Sequence, residues 1–180
     1  NSKNTTITQT NTKRFKNTAV DVTINDEVEK QLVGTVPVEV VINGNTVLST
    51  NIIDGKLQGE IPTDTLTLGI YDVEFKIPES DNYNAKIFTT TLKIVKRNVT
   101  VEFTTNTPKT TESLDISVTI KDTDGVSIVD NGKVTLKIDE EIISEADVKD
   151  SKANLNYTLP ADIMAGKHIV EIEFSDVNYN

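Results

Sequence analysis

One histidine, His168, and no cysteine leave this chain of 180 residues few side chains that do chemistry near neutral pH. A general base or a metal site needs partners, and along its own strand face His168 has only Val170 and Ile172. The absence of Cys removes disulfides, thiolate metal sites and Cys nucleophiles together. Oxygen-rich stretches are the next candidates. "DTDG" at 122–125 and the acidic run Asp139, Glu140, Glu141, Glu145 and Asp147 would suit calcium, a hard cation that takes clustered oxygens. The EF-hand spacing is not met, since a third loop oxygen and a terminal Glu are missing. A turn and a solvated edge explain both stretches equally well.

Two tyrosines, Tyr83 and Tyr179, each sit in an Asn-Tyr-Asn turn, with Asn84 following the first. An exposed ring beside amides can stack on a pyranose face while the amides bond its hydroxyls. The same turn used twice is more simply a plug over the end of a core. Asn4, Asn98 and Asn156 begin Asn-x-Ser/Thr sequons, which in a chain with 17 asparagines is about what chance provides. No spacing of Lys, Asn or Asp and a third carboxylate singles out an amide crosslink between strands. These residues imply no catalytic site, no cofactor and no metal, and the chain is not read as an enzyme.

Charge narrows the partners. Residues 1–96 hold ten basic against twelve acidic residues, and residues 97–180 hold eight against sixteen, for a total of −10. Nucleic-acid binding needs a basic footprint, and this is the opposite. An acidic surface also disfavours anionic lipid, and no apolar run reaches the 18 residues of a membrane span. No basic-then-apolar leader opens the chain, so a secreted protein would contain it as an internal or processed piece.

The elements that would position these residues repeat. "DVTIND" (21–26) falls on "SVTIKD" (117–122), "VEVVING" (38–44) on "VTLKIDE" (134–140), and "GIYDVEFKI" (69–77) on "GKHIVEIEF" (166–174). "NYN" at 82–84 falls on "NYN" at 178–180. This is a tandem duplication of about 95 residues, with domains expected at 1–96 and 97–180. Inside each copy apolar residues alternate with polar ones, and turn sequences such as "NGN", "DG" and "DNG" separate the runs. Val36, Val38, Val40 and Ile42 share a face, as do Tyr71, Val73, Phe75 and Ile77. In the second copy the sets are Leu114, Ile116, Val118 and Ile120, then Val134, Leu136 and Ile138, then His168, Val170, Ile172 and Phe174.

Strands with one apolar face must bury it against a second sheet. The fold class is therefore all-β, two tandem immunoglobulin-like β-sandwich domains of about seven strands each. Strands are expected at 5–10, 18–25, 36–43, 46–52, 56–61, 70–77 and 86–95. The second copy has them at 98–105, 114–121, 132–139, 142–148, 152–159 and 167–174. No counterpart of "AKIFTTTLKIV" (85–95) follows, so the second domain lacks its last strand and should expose an edge and an apolar groove. Three readings stay open: the natural chain continues, a strand from another protomer fills the gap, or a different strand arrangement closes the sandwich. The junction "KIVKRNVTV" (93–101) contains neither Gly nor Pro and reads as a stiff connection.

"LTLGIYDVEFKIPESDNYN" and "IMAGKHIVEIEFSDVNYN" place a Gly before an alternating strand, then an Asp and the Asn-Tyr-Asn turn. This pattern resembles the bacterial Ig-like (group 3) repeats of prokaryotic surface proteins, most of all those in adhesin-like proteins of methanogenic archaea. The resemblance covers both copies; the second departs by carrying His168 where Tyr71 stands. It implies an extracellular, cell-surface setting and a stalk or presentation role in cell adhesion. An alternative is direct attachment to a host or microbial glycan or protein through end loops such as 26–35 and 78–85, with Tyr83, Asn84 and Tyr179 as contacts. Another is an accessory module of a secreted polysaccharide-degrading enzyme. Self-association through the open edge of the second copy is a further expectation.

Overall fold

Alternating Val, Ile and Thr produce strands and little else. A computed structural model describes residues 4–6, 10–20, 22–25, 34–81, 83–124 and 128–180. The chain divides into two compact units, Asn1–Val95 and Lys96–Asn180. In the first unit the strands are β1 (Asn4–Thr6), β2 (Thr10–Lys13), β3 (Thr23–Asn25) and β4 (Thr35–Ile42). They continue with β5 (Asn45–Ile53), β6 (Lys56–Leu57), β7 (Gly69–Ile77) and β8 (Lys86–Val95). One ladder runs β1-β3-β6-β5-β4-β7-β8-β2 and folds back on itself, so that Val22 and Ile61 share one core with Val40, Phe75 and Leu92. In the second unit β13 (Lys152–Thr158), β10 (Ser113–Asp122) and β9 (Val99–Thr105) form one sheet. The other is β12 (Glu141–Asp147), β11 (Lys133–Ile138) and β14 (Val170–Ser175). Ile116, Leu136 and Leu155, drawn from the two sheets, meet in its core.

The architecture is all-β with two sandwich-like units, and the alternating residues form the cores. In the first unit three strands depart from expectation by more than one residue, and in the second the strand expected at 167–174 begins only at Val170. The strand expected at 5–10 is two: β1 pairs antiparallel with β3, whereas β2 pairs parallel with β8, so the chain changes neighbours between them. The strand expected at 56–61 is only β6, because Gly59 adopts φ +88° and breaks the extended run. The pairing resumes as a single bridge between Ile61 and Thr18, which is also why 18–25 shortens to β3.

The units share local devices. Both β4–β5 and β11–β12 carry a register shift, between Val40 and Val41 and between Leu136 and Lys137. The hairpin turns that follow, Asn43-Gly44 and Asp139-Glu140, have positive φ at both central residues (51° and 77°, 49° and 71°). That geometry matches the twist of antiparallel strands. They part at the last strand. In the first unit β7 is paired on both sides, and Val73, Phe75 and Ile77 are 1%, 0% and 2% exposed. In the second, β14 has β11 on one side and no strand on the other among the described residues; Val170, Ile172 and Phe174 stay half-buried.

At one end of the first unit three buried threonines form a chain. Thr63 Oγ1 donates to the Lys16 carbonyl at 2.8 Å. Its single proton is thereby committed, so Thr18 must donate to Thr63 (2.7 Å) and Thr12 to Thr18 (2.8 Å). The direction of the relay follows from the carbonyl at its end. Thr18→Val keeps the shape but strands the Thr12 proton and the Thr63 acceptor. It should lower the stability of the first unit by about 1–3 kcal/mol, read from its urea transition.

Candidate functional site

Among the described residues, the most strongly buried charge pair lies in the second unit. Arg97 precedes β9 and Asp122 ends β10; the guanidinium Nε donates to Asp122 Oδ2 at 2.6 Å, with both side chains 1% exposed. The turn at 178–180 closes over this pair. Arg97 N donates to the Asn178 carbonyl at 2.9 Å, and Asn180 N donates to the Arg97 carbonyl at 2.8 Å. Tyr179, between them, is 6% exposed and meets Phe174 edge-on with centroids 6.0 Å apart. The ring is therefore enclosed in this structure and not presented at the surface. Tyr83 is half-buried against the first core, in a turn closed by paired bonds between Ser80 and Tyr83 (2.8 and 3.3 Å). Asn84 beside it is exposed. Of the end loop 26–35, residues 26–33 lie outside the described residues, as do Asn82 and Gly125.

Several carboxylates of the oxygen-rich stretches are engaged by the protein itself. Asp122 takes Arg97 and, through Oδ1, the Asp124 amide at 2.9 Å. Asp124 in turn accepts from the Asn98 amide, and the Asn98 carbonyl accepts from Thr123 N at 2.9 Å. Glu145 faces Lys133 at 3.5 Å. Among the described residues no group of three or more His, Asp or Glu is arranged to hold a metal ion. Of the sequons, the Asn156 side-chain amide is bonded to Asp115 at 2.5 Å, and Asn98 Oδ1 accepts from Asn180. No lysine is among the buried residues of the described part.

His168 does not point into the core. It takes the place of Tyr71 in another sense. Tyr71 Oη donates to the Thr67 carbonyl at 3.0 Å, and His168 Nε2 bonds the Met164 carbonyl at 2.8 Å, in each case four residues back. Gly69 and Gly166, at φ +152° and +155°, set both corners. His168 adds a second bond, Nδ1 to Asp139 Oδ2 at 2.6 Å, while Asp139 Oδ1 accepts the Ile169 amide. Both ring nitrogens face acceptors, so only the imidazolium satisfies both. The Asp139 bond first, and then the Met164 carbonyl, raise the His168 pKa above the ordinary 6.5. Its bonds to His168 first, and then to the Ile169 amide, hold Asp139 below the ordinary 3.8. Nothing in this pair meets a third reactive group; it staples the β11–β12 turn to the start of β14.

An open trough of about 760 Å³ lies on the first unit, over the outer faces of β4, β5, β7 and β8. Glu39, Ser49, Asn51, Lys76 and Ile87 line it, and Pro78 and Ala85 join it to the turn that carries Tyr83. No aromatic ring lines it, so it lacks the stacking surface a sugar site ordinarily uses. The Arg97–Asp122 pair and the Tyr179 plug were not legible as partners in the sequence. The only signal was the match, by repeat alignment, between the turn at 178–180 and the turn at 82–84.

No protein-family model matches this chain, and no curated protein matches it in sequence. Among solved structures it is similar to the fibronectin(III)-like modules of Clostridium thermocellum CbhA, at 16% identity and a TM-score of 0.35. That match covers 97% of this chain and 86% of the other. It is also similar to the Yersinia pseudotuberculosis adhesin InvE, at 12% identity and a TM-score of 0.38, over 96% of this chain and 59% of that one. Both overlays are loose, and the fold description rests on the strand ladders themselves.

Removing one partner of a buried ion pair leaves the other charge uncompensated. Asp122→Ala should therefore cost about 3–5 kcal/mol in the unfolding of the second unit, measured in urea, and Arg97→Met/Asp122→Leu together much less. The His168–Asp139 pair sets a pH window. The raised His168 pKa makes its contribution complete below about 6.5 and lost as pH rises through the folded value. The lowered Asp139 pKa makes its contribution present above about 3.8 and lost as pH falls through the folded value. Thermal melting of the second unit should thus show a loss on going from about pH 6 to alkaline pH that His168→Tyr abolishes.

Proposed function

We propose that the chain is a segment of an extracellular, cell-surface adhesin-like protein, in which two immunoglobulin-like repeats, 1–96 and 97–180, serve as structural units that present a binding region. One observation carries the reading. Among the described residues every buried polar side chain is engaged in tying strands or turns together, as in the Thr12–Thr18–Thr63 chain and the Arg97–Asp122 pair. The two units reuse the same bulge, the same turns and the same corner. A module that works by holding its shape needs these features and no reactive cluster. The change of neighbours between β1 and β2, with β2 parallel to β8, supports an immunoglobulin-like topology for the first repeat. The sequence resemblance to bacterial Ig-like repeats points the same way.

A second reading is direct attachment through the first repeat. It is favoured by the trough bordering the 78–85 turn and by the exposed Asn84. Binding of the fluorescently labelled chain to microbial and host cells separates the two. A presenting unit gives no saturable attachment while remaining folded by circular dichroism. Saturable attachment that Tyr83→Ala/Asn84→Ala reduces at least tenfold would overturn the stalk reading and make the turn the adhesive surface.

A further inference from the structure

The acidic residues of this chain avoid one stretch. Residues 1–20 contain Lys3, Lys13, Arg14 and Lys16 and no Asp or Glu, in a molecule whose net charge is −10. Three of those cations flank an aromatic ring in a single turn. Lys16 N donates to the Lys13 carbonyl at 3.3 Å, which closes the turn Lys13–Lys16 at the end of β2 and puts Phe15 in its third position at φ 65°. Glycine or asparagine suits that position, because a Cβ crowds the backbone there. Nor does burial account for the phenylalanine: it is 40% exposed and lies outside the core.

Several bonds hold this turn in place. Arg14 N donates to the Val95 carbonyl at 2.9 Å, Arg14 Nη1 to the Asp64 carbonyl at 2.9 Å, and Thr63 Oγ1 to the Lys16 carbonyl at 2.8 Å. The Arg14 guanidinium lies over the Phe15 ring, 4.2 Å from its centroid, and covers one face. Lys16 and Asn17, which follow the ring, are exposed. So are Asn11 and its ladder partner Lys93, on the strand face that continues with Lys13. The turn lies inside the chain, between β2 and β3, and is bonded to a strand that itself continues into Lys96. The second unit does without it. The matching segment 105–111 reads TNTPKTT, with one cation and no ring, and Lys109 N there is bonded to Glu112. The fold common to both units therefore does not call for Arg14, Phe15 and Lys16.

The residue types select a ligand. Guanidinium and ammonium groups side by side take carboxylates, and short runs rich in Lys and Arg are a footprint of polyanions. An exposed ring beside amides stacks on the apolar face of a pyranose while the amides bond its hydroxyls. A carboxylated sugar offers both features. Single-stranded nucleic acid asks for a basic groove that tracks its backbone, whereas these cations are confined to one turn and strand end of an acidic molecule. An anionic membrane would meet the acidic surface around the turn as well.

We infer that the turn at 13–17 of the first unit is a binding site for a polysaccharide with carboxylated sugar units, Phe15 stacking on the sugar ring and Arg14 and Lys16 taking its carboxylate. The inference goes beyond the presenting role and does not depend on it. The whole of β8, ten residues long, separates this turn from the one at 78–85, so binding here should survive Tyr83→Ala/Asn84→Ala. The test titrates fluorescently labelled oligogalacturonate with the 180-residue chain and follows anisotropy. Saturable binding, weakened by salt, is expected. The unlabelled methyl ester, which keeps the sugar and loses the charge, should compete at least tenfold less well than the unlabelled acid. Phe15→Gly suits the positive φ and Lys16→Gln alters an exposed side chain, so this double variant should keep its melting temperature and bind at least tenfold more weakly. Lys149→Gln, which removes the same charge from an exposed position of the second unit, should leave binding unchanged. No saturable binding, equal competition by the ester, undiminished binding by the folded double variant, or equal weakening by Lys149→Gln would overturn the proposal. Tighter competition by polyglutamate, single-stranded DNA or dextran sulfate would overturn the assignment to a carboxylated sugar.

Discussion

A β-sandwich is closed only when its last strand is in place. Among the described residues the first unit has that strand and the second does not, and much of this molecule can be understood from the difference. β8 satisfies the backbone of β7 on one side and of β2 on the other, and its Leu92 and Ile94 close the core between them. Val73, Phe75 and Ile77 are sealed as a result. Their counterparts Val170, Ile172 and Phe174 lie on a strand with the same alternation and the same neighbour on its inner side, yet remain half-buried. The difference lies in coverage and not in residue type.

The second unit draws its order at both ends from polar contacts. Arg97 and Asp122 bring the first and second strands together at one end, and the turn holding Tyr179 is bonded over them. At the other end His168 and Asp139 tie the β11–β12 turn to β14. The first unit manages the corresponding corner with the single hydroxyl of Tyr71 and closes one end with neutral threonines. Ionised contacts depend on pH, and buried ones tolerate loss of a partner poorly. The two repeats are therefore built from the same local devices and differ in what would unfold them.

The same contacts occupy several side chains that by type could do chemistry. The histidine, the "DTDG" carboxylates and Tyr179, which by residue type could have served catalysis, calcium or stacking, are each engaged in holding a turn or an end. The proposed presenting role draws on this: polar groups are used to maintain shape. A trough on an outer sheet face of the first unit lies outside these contacts.

Period-two alternation and the duplicated turns determined, from the sequence alone, the all-β class, the two-fold repetition and most core positions. Burial of one strand face is a local demand that each run such as Leu114, Ile116, Val118 and Ile120 expresses by itself. The sequence also showed that His168 stands in the place of Tyr71, because the glycine two residues before each ring is visible in the chain. Tertiary structure decided the rest. That the first strand changes partners between β1 and β2, that Gly59 interrupts β6, and that Tyr179 is enclosed beside Arg97 all depend on which segments become neighbours. Spacing along the chain records what each strand must bury; it does not record which distant group will lie across from it. The partners of Arg97, Thr18 and Asp139 are 25, 45 and 29 residues away.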